Sequence, residues 1–366
     1  MQPGPPNAVR VCLNVQPHER VTVISDLACR DIGAALIREI EAVGATCASF
    51  VLEDEAPRPL AALPDRIAAD MERSDVSIFA ARVQENELGS RITMTDIVNR
   101  RRMRHAHMVN ITPRIMTEGM RADFRVVDRI SQKVIDAVRS ARVIRATTPA
   151  GTDITAEMNP GYRWIKTSGL ITPEKWGNLP GGECFTTPGN VNGTFVIDGV
   201  VGDWLCDRYG LLDKTPLTIH IKDSRLTGAE SASKALRDDF WAYTDTDENS
   251  GRVGEFAIGT NIELHEVIGH ILQDEKFPGV HIAFGNPYGA HTGADWYSST
   301  HIDVVGLRFD IWVDGKQIME DGKFLICDSG GVILAVPLTG DPASRKEIEL
   351  LREEFTDNIG RLSPDG

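Results

Sequence analysis

The run VTVISDLACRDIGAALIREIEAVGATCASFVLED, Val21 to Asp54, decides the first half of the fold. VTVISD, Val21 to Asp26, is a short apolar run and reads as a buried strand. From Cys29 to Val43 apolar residues recur at helical spacing, and the pattern stops before Gly44. TCASFVLED, Thr46 to Asp54, has the composition of a second strand. A strand, a helix and a strand at this pitch predict a parallel sheet with helices on its faces.

The alternation continues. Leu63 to Arg73 suits a helix, DVSIFA (Asp75 to Ala80) a strand, NRRRMR (Asn99 to Arg104) a basic helical patch, and AHMVNIT (Ala106 to Thr112) a strand. A helix from about Asp128 to Arg142 closes the region. No strand is followed by G-x-G-x-x-G or G-x-x-x-x-G-K, so this doubly wound, mostly parallel domain carries no sign of a nucleotide. NRRRMR reads as the solvated face of a helix rather than an anion site.

Past residue 145 the texture changes. TTPAGTDITAEM (Thr147 to Met158) reads as a hairpin. NLPGGECFTTP (Asn178 to Pro188) and GTFVIDGVVGDW (Gly193 to Trp204) are glycine-rich and β-prone, and LTIHIKDSRLTG (Leu217 to Gly228) alternates at period two. LRFDIWVDGKQIMEDGKFL (Leu307 to Leu325) is a meander with Asp-Gly turns at 314–315 and 321–322. Pro342 to Phe355 is an amphipathic helix. The expected division is an α/β domain over 1–147 and a β-rich α+β metal domain over 148–366.

The chain has 366 residues, 42% hydrophobic and 25% charged, an ordinary globular composition. Its net charge of −14 argues against nucleic acid and anionic membranes, which need a basic patch. Six scattered cysteines form no C-x-x-C pair, which excludes a thiolate zinc site and a disulfide framework. Neither a signal peptide nor an apolar run long enough to span a bilayer is found, so a reducing cytoplasm is the expected location.

HEVIGH, His265 to His270, departs from the zinc motif H-E-x-x-H by one residue. Five helical steps would place its imidazoles about 140° apart, so they are read as structural. The stretch GVHIAFGNPYGAHTGADWYSSTHID, Gly279 to Asp303, is richer. In a strand His301 and Asp303 face the same side, one imidazole beside one carboxylate. With His281 and Glu275 upstream, that pattern suits one metal ion or a bridged pair. Glu255 opens a short apolar run in RVGEFAIGTN, where an unpaired carboxylate is costly. Nothing near Cys184 activates it as a nucleophile. His291, Asp295, Trp296 and Tyr297 are read as loop and packing residues.

Three blocks together are similar to the M29 metallo-aminopeptidases, the thermophilic aminopeptidase T group. They are NLPGGECFTTP with NGTFVIDG, then RVGEFAIGTN, then DEK, GVHIAFG, Tyr288 and SSTHID, covering about Asn178 to Asp303. The resemblance implies a two-metal centre held by Glu255, His281, Tyr288, His301 and Asp303, and a homodimer. A further glutamate ligand of the family falls in a segment this chain largely lacks; Glu275 is the candidate, with Glu263 and Glu266 behind it.

The function this implies is cleavage of the amide next to a free N-terminal amino acid. The substrate would be a small peptide or aminoacyl amide, and the ions Zn, Co, Mn or Mg. Glu255 or Glu275 would carry the proton to the leaving amine. The rival is a mononuclear Fe(II) ring-cleaving dioxygenase of the dihydroxypyridine type. It is similar in fold, keeps the closing H-x-D, and has a histidine at the position of Glu255. A third option is hydrolysis of a small cyclic or aromatic amide. A non-enzymatic binding protein is the reading that the density of candidate ligands favours least.

Overall fold

The computed structural model describes residues 4–326 apart from Glu85 and Asp203. The expected helix from Pro342 to Phe355 and Cys327 lie outside the described residues. Strand β1 (Arg20–Ser25) is buried after its first residue. It pairs in parallel with β2 (Thr46–Val51) on one side and β3 (Val76–Ala80) on the other, and β4 (Arg104–His107) pairs in parallel with β3. Between β1 and β2 runs the helix Arg30–Val43, which buries Ile32, Leu36 and Ile40, one stripe at helical spacing.

Some boundaries differ from expectation, each for a local reason. The strand from Thr46 stops at Val51, and Leu52–Glu55 forms one helical turn. The helix expected from Asp128 instead spans Phe124–Val138, because the Asp123 carboxylate accepts from the amides of Arg125 and Val126 and starts the helix there. NRRRMR straddles the end of the helix Leu88–Arg101 and the start of β4. Its exposed Arg100 and Arg102 pair with Glu72 and Glu174, in keeping with a solvated face.

The order reverses at β1, so the crevice beyond the carboxyl ends of β1 and β3 is where an open parallel sheet ordinarily takes a ligand. Here Arg58 fills it. Its side chain is 4% exposed and meets Asp26 at 3.3 Å, Glu53 at 3.3 Å and Glu87 at 2.5 Å. The crevice is closed by the chain's own ion cluster.

The remaining strands are β5 (Val143–Thr147), β6 (Asp153–Met158), β7 (Ile165–Thr167), β8 (Gly177–Asn178), β9 (Glu183–Thr186), β10 (Pro188–Ile197), β11 (Leu217–Lys222), β12 (Arg225–Ser231), β13 (Val253–Gly259), β14 (Gly279–Gly285), β15 (His301–Val305), β16 (Asp310–Val313), β17 (Lys316–Glu320) and β18 (Lys323–Phe324). β8 returns to the parallel sheet beside β4. The others form two antiparallel sheets. One has eight strands in the order β12-β11-β10-β6-β5-β16-β17-β18, the other five in the order β15-β14-β13-β9-β7. The architecture is an α/β parallel layer followed by a β-rich half. The Asp314-Gly315 and Asp321-Gly322 turns have positive φ at both residues, the requirement of a tight type I′ hairpin.

The two antiparallel sheets pack face to face. Phe256, Ile258, Ile282, Phe284, Ile302 and Val304 of the smaller sheet share one core with Ile144, Ile154, Phe195, Ile197 and Ile219 of the larger. Each such side chain, fully buried, contributes about 1.5–3 kcal/mol. That core fixes which residues of the smaller sheet point the other way.

A separate buried pair gives the parallel sheet a pH signature. His105 Nδ1 is 2.8 Å from Ser77 Oγ, and its Nε2 is 3.1 Å from His107 Nδ1. Burial pulls His105 down to about 3 and His107 well below its usual value, so both are neutral when folded. The unfolded chain takes up these protons below about 6.5 and the folded chain does not. Their contribution is therefore intact above about pH 6.5 and falls by about 1.4 kcal/mol per histidine per pH unit as acid is added toward pH 3. Urea unfolding between pH 7.5 and 5 should show this slope, and His107→Phe should flatten it.

Candidate metal centre

The register of the smaller sheet assembles the site. Asp303 on β15 faces Ala283 on β14, which faces Glu255 on β13. In the next row His281 faces Ala257, and Ala257 faces Phe185 on β9. Beyond it Gly259 faces Glu183, and at the opposite end Gly285 faces His301. Strand residues two apart and residues directly opposite share a face. Glu183, Glu255, His281, His301 and Asp303 therefore all project from the side away from the core. Ala257 and Ala283 stand between them, while Gly259 and Gly285 let the Phe277 and Thr300 carbonyls pass close over the sheet. The two alanines leave room, a hollow into which the long side chains converge.

The convergence is close. His281 Nε2 lies 3.4 Å from Glu183 Oε2, 3.5 Å from Glu255 Oε1 and 4.0 Å from Asp303 Oδ1. His301 Nε2 lies 3.5 Å from Asp303 Oδ2 and 4.0 Å from Glu255 Oε2. His281 Nε2 is buried and has no hydrogen-bond partner. Ligand atoms about 2.1 Å from one tetrahedrally held ion stand roughly 3.4 Å apart. These spacings are too long for good hydrogen bonds and right for atoms sharing a cation.

The second ring nitrogen of His301 strengthens the argument. Its Nδ1 is 2.9 Å from the carbonyl oxygen of Asn286, which can only accept. Nδ1 must then carry a hydrogen, which leaves Nε2, facing two carboxylates, as the position that either a proton or a metal ion would fill. A positive charge there, from a proton or a metal ion, makes that arrangement favourable. Burial works against the imidazolium, yet the surrounding acids push His281 up to about 10 and His301 up to about 9. Burial raises Glu255; it also pushes Asp303 up, but the charge and hydrogen bond of His301 together with the His281 charge more than offset it and hold Asp303 down. With neutral imidazoles the pocket holds an excess of negative charge, which bound protons or a divalent ion would relieve. The donors form an inner group around His281 and an outer group around His301, shared by Glu255 and Asp303.

The other candidates fall as follows. Tyr288 has left-handed backbone angles, and its ring lies 4.6 Å from that of His301 and 6.3 Å from that of Phe185. The residue as a whole is 43% exposed, but desolvation at its phenol end and then the nearby carboxylates push the phenol well above the usual range. Glu275 is turned onto Lys276, its Oε1 2.5 Å from Nζ, and the compact three-residue group is Glu183, Glu255 and His281. Burial, despite Lys276, lifts Glu275 to about 8. Glu266 is exposed and pairs with Arg114. HEVIGH is not helical, and His270 caps the short helix Ile271–Asp274. His291, Asp295 and Tyr297 are exposed, and Trp296 packs under Arg252 at 4.2 Å.

Glu183 is the residue that sequence reasoning missed. It stands in PGGECF beside Cys184, which lies within a strand rather than at a turn. The available signal was period two: with Cys184 and Phe256 on the core side, Glu183 must face the hollow. Burial pushes its carboxyl up, but Lys276 and His281 more than offset this and hold it well below the usual range.

The room left by the two alanines yields a prediction. Ala283→Leu puts a large side chain between Glu255 and Asp303. It should abolish metal uptake, measured as ions per chain, while the far-ultraviolet circular dichroism stays that of the wild type.

No curated protein matches the chain by sequence. Solved structures share its fold, among them the two that follow. 2,5-Dihydroxypyridine dioxygenase from Pseudomonas putida KT2440 has a TM-score of 0.63 and 16% identity, covering 88% of this chain and 96% of that one. Wild-type AmpT from Thermus thermophilus has a TM-score of 0.62 and 16% identity, covering 88% and 98%. Among the described residues no helix is long and apolar enough to cross a membrane. The family model described as NicX: 2,5-dihydroxypyridine 5,6-dioxygenase matches residues 108–326, more than half of the chain, and the chain therefore belongs to that family.

Proposed function

We propose that this enzyme is a metal-dependent hydrolase that cleaves the amide next to a free N-terminal amino acid, using two divalent ions. One observation carries the reading: Glu255 and Asp303 each direct one oxygen to His281 and the other to His301. Carboxylates divided in this way are suited to bridging a pair of cations. Glu183, Glu255 and His281 would hold one; Glu255, His301, Asp303 and Tyr288 the other. When bound, such ions supply Lewis acidity toward a carbonyl oxygen and a water of lowered pKa.

The chain's own groups do the rest. Ring contact from Tyr288 and the Asn286 carbonyl fix the His301 imidazole, so Nε2 stays aimed at the hollow. Glu275, with its carboxyl pushed to about 8, holds a proton at neutral pH that it can give to a leaving amine. The carboxylates gathered at the centre would suit a free α-amino group. A small peptide or aminoacyl amide is the substrate in this reading, and a homodimer the working assembly.

Membership of the dioxygenase-named family favours a second reading: one Fe(II) held by His281, His301 and Asp303 for ring cleavage. Two assays separate them. Metal-reconstituted protein should release p-nitroaniline from L-aminoacyl p-nitroanilides, with product lost on chelation. It should leave oxygen unconsumed in the presence of 2,5-dihydroxypyridine and Fe(II). The reverse pattern would replace the hydrolase by the oxygenase.

A further inference from the structure

We infer that Lys276 makes the inner cation position, at Glu183, Glu255 and His281, weaker than the outer one at His301 and Asp303, so that divalent ions load in a fixed order, outer first. The inference rests on the proposed two-ion reading and deepens it.

Lys276 is 1% exposed, a rare state for a lysine. Its Nζ lies 2.8 Å from Glu183 Oε1 and 2.5 Å from Glu275 Oε1. Glu183 is thus divided. Oε1 accepts from Lys276 and from Thr167 Oγ1, while Oε2 faces His281 at 3.4 Å. A cation seated against Oε2 would face the ammonium held at the other oxygen of the same carboxylate, and repulsion between such near charges is strong in a buried setting. The salt-bridge partners of Glu255 and Asp303 are the two histidines, so the outer position is shielded from Lys276 by a further residue.

The main chain that carries the lysine is held close to the sheet. The chain at 276–277 crosses directly over the sheet, and a Cβ placed on Gly259 would meet the Phe277 carbonyl oxygen at 1.9 Å. Only glycine allows that approach, and it wedges Lys276 against the acids. Two cations in a paired site lie about 3.5–4 Å apart and are ordinarily equalised by shared carboxylates. Here a third, protein-borne cation stands at one end of the pair, and the symmetry is broken from that side.

The test is stoichiometric titration of the full chain, stripped with chelator. Zn²⁺ binding is followed by calorimetry and Co²⁺ binding by visible absorption. The wild type should bind one ion tightly and a second at least tenfold more weakly. Lys276→Met, neutral and similar in length, should tighten the second step at least tenfold and leave the first unchanged. Glu183→Gln, which keeps Lys276, should remove the weak step and spare the tight one; this decides the matter if Lys276→Met fails to fold. Two equal steps in the wild type, or loss of the tight step in Glu183→Gln, would overturn the inference while leaving the two-ion reading in place. One ion in the wild type, with Glu183→Gln harmless, would remove both.

Discussion

Glu255→Ala should strip the divalent ions from the protein and lower turnover on the order of a hundredfold or more. The reason is geometric. Glu255, like Asp303, reaches both histidines, at 3.5 Å and 4.0 Å, and its loss takes a ligand from the inner and the outer group together. The fold should survive. Burial disfavours the Glu255 carboxylate in the folded chain, so its removal spares the protein a desolvated charge. The expected result is a metal-free protein with a thermal midpoint close to that of the chelated wild type. Unfolding together with loss of metal would mean that the residue is structural first. Glu255→Asp, shorter by one carbon, should fall between the two, holding ions weakly because one histidine is then out of reach.

The second large effect lies in the other half of the chain. Arg58→Met should cost about 3–5 kcal/mol, the range for breaking a buried ion cluster by removing one partner. Asp26 and Glu87 have side chains only 3% exposed. Glu87 also accepts from the amides of Leu60 at 2.9 Å and Gln84 at 3.0 Å, so it cannot turn toward water when the guanidinium is gone. Denaturant unfolding measures the loss. A double variant, Arg58→Met with Glu87→Gln, should recover part of it, because the remaining charge is then neutralised. Additive losses in the double variant would show that the two residues do not act as a pair. Turnover at low temperature should be unaffected by Arg58→Met, since the cluster closes the parallel-sheet crevice rather than lining the metal centre.

The parallel half was legible because its signals are local. Val21 to Asp26 and Asp75 to Ala80 are continuous apolar runs, the mark of strands buried on both faces, and the helix between Cys29 and Gly44 carries a single stripe. The Asp-Gly turns made the meander from Leu307 to Leu325 equally plain. What the sequence hid was registration across strands. Glu183 and Gly259 are neighbours on the sheet and seventy-odd positions apart in the chain, so no window of sequence contains both. Glu275 drew attention by lying near His281, and its Oε1 is engaged by Lys276. His301 and Asp303 were visible because a strand places i and i+2 on one face without help from any partner. Proximity in sequence found the outer group; only the sheet completed the inner one.

The most direct test is the metal content of the chain, purified without chelators and counted by elemental analysis. The account predicts about two divalent ions per chain, reduced by Glu255→Ala and halved by Glu183→Gln. A single iron per chain, retained when Glu255 or Glu183 is replaced and lost only with His301 or Asp303, would contradict it.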